Sequence, residues 1–164
     1  MLRDKNLIPL SHQHQRALAL CVRIDRASPF PETDLEAWQK EITQLYQQEI
    51  LVHFAAEENI LFPVASTFPD LAALVTDLTQ DHAALRQYLS QAEALKLTAT
   101  DLTAFATRMS THIRKEERQL FERMQQLIEP DGLAKLGTQL QDALRESAQT
   151  CAIPSEPTRL RPAK

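Results

Sequence analysis

Five histidines stand in this 164-residue chain, at positions 12, 14, 53, 82 and 112, and two of them are followed four residues later by a glutamate. The stretch HFAAEEN gives His53-x-x-x-Glu57, and HIRKEER gives His112-x-x-x-Glu116. On a helix this spacing puts imidazole and carboxylate on one face, about 40° apart and about 6 Å along the axis. Such a pair can share a metal ion, or can be an ordinary surface ion pair. Glu49, four residues before His53, meets the same condition, but Arg108 holds the equivalent place before His112, so only the His-x-x-x-Glu form occurs twice. Glu58 and Glu117, one residue further round the helix, are expected in solvent.

Where the histidines point decides between the two readings. At about 100° per residue, His14 falls among Leu10, Leu18 and Cys21, and His53 shares a face with Ile50, Ile60 and Leu61. His82 lies on the stripe Val75, Leu78, Leu85 and Leu89, and His112 lies beside Phe105 and Met109. His12 is about 200° from His14 and points away. His53, His82 and His112 stand at comparable distances from the turns that join their helices, within about 4.5 Å of rise, and His14 follows less tightly. Four imidazoles and two carboxylates in one apolar layer are costly unless something compensates them. They exceed what one tetrahedral zinc takes, and suit two metals bridged by the carboxylates. Iron matches this ligand set, with manganese and zinc as weaker matches.

The elements that must carry these residues are separated by prolines at 9, 29, 31, 63, 69 and 130. Between them, apolar residues recur at three- and four-residue spacing, the helical period. The spacing predicts helices over about 10–27, 34–62, from 69 through Leu89, and from 101 to before Glu129. Thr33 with Glu36 is expected to form a capping box, and Thr100 to cap the fourth helix. A shorter helix over about 133–148 is expected outside the bundle, followed by a flexible tail over 150–164. The expected fold is all-α, an antiparallel up-down-up-down four-helix bundle occupying residues 1–149.

The composition agrees: 43% hydrophobic, 24% charged and only 2 glycines, with no strand pattern in competition. A net charge of −4 leaves no basic stripe for nucleic acid, and no apolar run reaches the length of a membrane span. No signal-peptide pattern opens the sequence, so a cytoplasmic location is expected. Cys21 and Cys151 form no CxxC arrangement. Cys21 and Tyr46 are read as core residues.

Together, PLSHQHQRALAL, HFAAEENILFP, DHAALR and HIRKEERQLFERM resemble the hemerythrin-like, or HHE cation-binding, domains over roughly residues 7–128. The resemblance implies His14, His53, His82 and His112 as iron ligands and Glu57 and Glu116 as bridging carboxylates. Oxygen-carrying members of that family have HxxxH in the third helix and HxxxxD in the fourth. Here only His82 stands in the third, and the fourth reads HxxxE, which is similar to di-iron repair, nitric-oxide-response and sensor proteins. The expectation is therefore a non-haem centre of two iron ions that binds or responds to O2, NO or peroxide, and not a simple oxygen carrier. A di-iron enzyme and an iron or zinc storage module are the alternatives. No protein partner is indicated.

Overall fold

The computed structural model describes residues 2–145 and 154–159, and among these every regular element is helical. Helix α1 (Ile8–Ala27) takes Pro9 in its first turn, where the missing N–H costs nothing. It ends at Ser28, which is extended as the residue before a proline prefers to be. Helix α2 is one continuous rod with α-helical segments Leu35–Leu45, Leu51–Ala56 and Phe62–Ala65. Wider π-helical turns, Tyr46–Ile50 and Glu57–Leu61, join these segments. Helix α3 spans Pro69–Glu93. Helix α4 runs from Ala99–Lys115 through a third π turn, Glu116–Leu120, into Phe121–Leu127. Helix α5 spans Pro130–Leu144, starting three residues before the expected position, because Pro130 suits a first turn. Its expected extension to 148 lies outside the described residues.

Two expected caps are different. A short 3-10 turn, Glu32–Asp34, precedes α2, and the Thr33 hydroxyl bonds Asp34 at 3.2 Å instead of closing a box with Glu36. At α4 the cap is Thr98, not Thr100. The Thr98 hydroxyl accepts from the Asp101 N–H, and the Asp101 carboxylate accepts from the Thr98 N–H. Thr98 has an acid three residues on and Thr100 has Thr103, so only Thr98 can close both bonds. The second helix also outruns its expected stop at Pro63. The wide turn ending at Leu61 sets Pro63 into the first turn of the following segment, where no donor is needed.

Helix α1 lies along α4, and α3 lies along both α2 and α4, while α5 covers α1 and the middle of α2 from outside. Gly137 of α5 is required there, because a Cβ would collide with the side chain of Asn6. Two apolar clusters fill the interior. One contains Ala17, Cys21, Trp38, Ile42, Leu85, Phe105 and Ile113. The other contains Leu10, Leu61, Leu78, Leu120, Phe121 and Leu136. In α1 and α3 the histidine falls between the residues given to one cluster and those given to the other, and in α4 Glu116 falls between Ile113 of the first and Leu120 of the second, so a polar layer separates two apolar ones. Tyr46 is half-buried against the first cluster.

The expected tail begins on residues that are not described. Of its described residues, 154–159 pack on α1 and α2, with Thr158 fully buried and its carbonyl accepting from Arg23 at 2.9 Å. Among the described residues no helix is long and apolar enough to cross a membrane.

Candidate metal centre

Helices α1 to α4 each bring one buried histidine to the polar layer, and α2 and α4 each add a carboxylate that is wholly buried. His14 and His53 face each other with Nε2 atoms 3.0 Å apart, and His82 and His112 do the same at 3.1 Å. Glu57 lies between the pairs, with Oε1 3.1 Å from His53 and Oε2 3.3 Å from His82. Glu116 Oε2 is 3.2 Å from His14 and 3.3 Å from His112. One ligand atom each from His14, His53, Glu57 and Glu116 forms a group within 4.8 Å, and a second group takes Glu57, His82, His112 and Glu116. Both groups share the two carboxylates. His12 is exposed and belongs to neither.

The donor set fits a cation. Neither oxygen of Glu57 or Glu116 accepts a hydrogen bond, although both side chains are inaccessible. Buried carboxylate oxygens without donors are unstable unless positive charge faces them.

Outside this layer three of the four imidazoles are hydrogen-bonded at Nδ1 by a neighbouring helix, and the fourth faces a carboxylate beyond hydrogen-bond distance. Gln13 of α1 is 2.8 Å from His53 Nδ1 on α2, and Glu58 of α2 is 2.8 Å from His82 Nδ1 on α3. Asp81 of α3 faces His112 Nδ1 on α4 at 3.8 Å, and Glu117 of α4 is 2.7 Å from His14 Nδ1 on α1. At His14, His53 and His82 an acceptor at Nδ1 fixes the tautomer that leaves Nε2 free to bind a metal. Arginines clamp the two glutamates: Arg86 grips Glu58 at 2.7 and 3.0 Å, and Arg3 bonds Glu117 at 2.6 Å. The expectation that Glu58 and Glu117 stand in solvent is thus corrected. A residue about 100° off the inward face of a bundle helix points into the seam with its neighbour, and there each meets an imidazole from the next helix.

Two of the three π turns begin at Glu57 and Glu116 themselves. Such turns are rare, and those that occur are frequently at functional sites. The charges are mutually compensating. Burial alone would raise the Glu57 carboxyl, but His53 and His82 overcome it and hold the group well below the carboxylate range. Burial would depress the His14 imidazole, yet the carboxylates of Glu116 and Glu117 raise it to about 10. Its partner Glu117 is drawn down to about 2 against its own burial. His82, opposed by burial in the same way, is raised by Glu57 and Glu116.

Beside His14, His53 and His112 lies a cavity of about 20 Å³, largely apolar, with Gln13 and Glu49 also in its wall. That is room for one water-sized molecule. Cys21 is buried and contributes to the apolar cluster, and burial pushes its thiol up to about 11, so it stays a neutral packing group. Cys151 lies outside the described residues.

No curated protein and no solved structure matches the chain. The family model for the hemerythrin HHE cation binding domain matches residues 9–124, a span that contains all four inward histidines together with Glu57 and Glu116. By that match the chain belongs to the hemerythrin HHE cation-binding domain family.

Proposed function

We propose that the chain is a non-haem di-iron protein that binds or responds to O2, NO or peroxide in the cytoplasm. In this reading α1 to α4 form the up-down-up-down bundle, His14 and His53 hold one ion, His82 and His112 the other, and Glu57 and Glu116 bridge them. The observation that carries it is the pair of four-atom ligand groups sharing both carboxylates. Imidazole together with carboxylate in each group is the donor chemistry that supports iron.

Bound iron would supply a redox-active Lewis acid able to take a small exogenous ligand. The chain's own residues supply everything around it. Gln13, Glu58 and Glu117 orient the rings through Nδ1, the two apolar clusters exclude water, and Phe54 and Phe62 stack on the faces of His82 with centroids 3.8 and 5.3 Å away. The small, largely apolar cavity beside His14, His53 and His112 supports a small molecule over a larger substrate. Elemental analysis after anaerobic iron reconstitution should give two irons per chain, and NO should change the absorption spectrum. A plateau at one metal would overturn the dinuclear reading. An O2 pulse should oxidise the reduced protein; full reversion under vacuum over repeated cycles would restore the carrier reading.

A further inference from the structure

We propose that the small ligand reaches the centre through the seam between α1 and α2, and that Glu49, held by Arg16, controls this passage and faces the ligand inside. The inference rests on the di-iron reading above. Glu49 stands four residues before His53, inside the π turn Tyr46–Ile50, yet it belongs to neither ligand group. Glu49 instead contributes to the wall of the cavity beside His14, His53 and His112.

Outside that cavity a groove of about 200 Å³ is lined by Arg16, Leu20, Arg23, Glu41 and Pro154. Leu45 and Glu49 are the two residues common to groove and cavity, so they form the wall between solvent and centre. The Glu49 side chain is 4% exposed and that of Arg16 is 41% exposed, with Nε and carboxylate 2.6 Å apart. One ion pair therefore spans from the interior to the surface. Arg16 is the exposed outer member of this pair, and when it swings away the neck is left with Leu45 and a carboxylate. The far side of the centre is built differently, since Phe54 and Phe62 cover His82. A carboxylate at the neck passes neutral molecules such as NO, O2 and hydrogen peroxide, and opposes anions.

The experiment compares NO and azide association, by stopped flow, in iron-loaded wild type, Glu49→Ala, Glu49→Gln and Glu41→Gln. Glu41 lines the same groove, paired with Arg23, but does not reach the cavity. Iron content should stay at the wild-type value in all four. Glu49→Ala should speed NO association by about tenfold, within the range over which association rates vary among related sites. Glu49→Gln should speed azide more than NO, and Glu41→Gln should change neither. An unchanged NO rate in Glu49→Ala, or an equal rise in Glu41→Gln, overturns the proposal. A second readout does not depend on iron: dissolved O2 should broaden the methyl resonances of Ala17, Ile50 and Ile113 more in Glu49→Ala than in wild type, with zinc added to both. If wild type takes up no iron or no NO, the di-iron reading fails, and this broadening alone decides the route.

Discussion

The half of the centre built by α1 and α2 and the half built by α3 and α4 offer the same inner donors but rest on different supports. His53 leans on an uncharged partner, Gln13, at 2.8 Å. His112 faces a carboxylate, Asp81, at 3.8 Å, and Arg108 and Lys115 each hold that carboxylate at 2.8 Å. The surroundings differ as well. The cavity touches both imidazoles of the first half but only His112 of the second, while His82 is inaccessible between two phenyl rings. Identical donors are thus given unequal settings by what stands behind them: the first half borders the cavity, and the second is closed over His82 by two phenyl rings.

The largest effect should come from breaking what the halves share. Glu57→Ala removes an oxygen from each group and should reduce bound iron from two ions to none. Metal bound only to the folded state adds about 4 kcal/mol when free metal stands at a thousand times its Kd. That contribution should vanish, so melts with and without iron should coincide in the variant and separate in wild type. Retention of one ion by Glu57→Ala would show two independent halves.

Next comes the contrast within α1. His14→Ala should lose at least the ion of the first half, whereas His12→Ala should keep full iron and stay within about 0.5 kcal/mol of wild type, as exposed substitutions do. Elemental analysis and melting of both variants check this. Equal iron loss in the two would mean that α1 is rotated from the orientation described.

These inner residues were legible in the sequence because a helix in a bundle obeys a single period. His14, His53, His82 and His112 each interrupt an apolar stripe, and the wheel needs no tertiary information to turn them inward. Glu57 and Glu116 follow from the spacing. The outer ring was not legible, because it depends on which helices are neighbours. Gln13 and Asp81 each precede an inward histidine yet serve the histidine of the next helix. A signal for Glu58 and Glu117 did exist: both motifs read His-x-x-x-Glu-Glu, and a residue merely solvated has no reason to recur. The π turns were invisible, because no local propensity distinguishes them from α-helix.

A smaller effect concerns protons. Burial works against the charged His14 ring, but Glu116 and Glu117 hold it up to about 10, so at neutral pH the metal-free protein carries a proton that the metal must displace. Apparent affinity should therefore rise with pH up to about 10, by about tenfold per unit for one displaced proton. Metal addition at pH 8 should release a proton to a weakly buffered indicator. His14→Ala should release fewer protons, and a pH-independent affinity would remove the coupling.

The finest distinction is between the supports themselves. The His112 ring, against partial burial and with help from Lys115, holds the Asp81 carboxyl well below its ordinary range, so Asp81 is an anion at any working pH. An anion behind an imidazole makes it a stronger donor and favours the more oxidised metal, while an amide does so less. Exchanging the supports should move the two halves in opposite directions. Gln13→Glu should lower the reduction midpoint of the first half, and Asp81→Asn should raise that of the second. Each change should alter iron affinity by less than the roughly 10- to 100-fold expected when such a support is deleted. Spectroelectrochemical titration of the iron-loaded variants measures both. Arg108 and Lys115 oppose the effect at Asp81, because they already neutralise much of its charge. Distance works the same way, since position 13 meets its ring at 2.8 Å and Asp81 stands 3.8 Å from its own. The Gln13→Glu shift should therefore be the larger of the two. Equal shifts would mean that neither the neighbouring cations nor the shorter contact governs how strongly a charge behind the ring is felt at the metal.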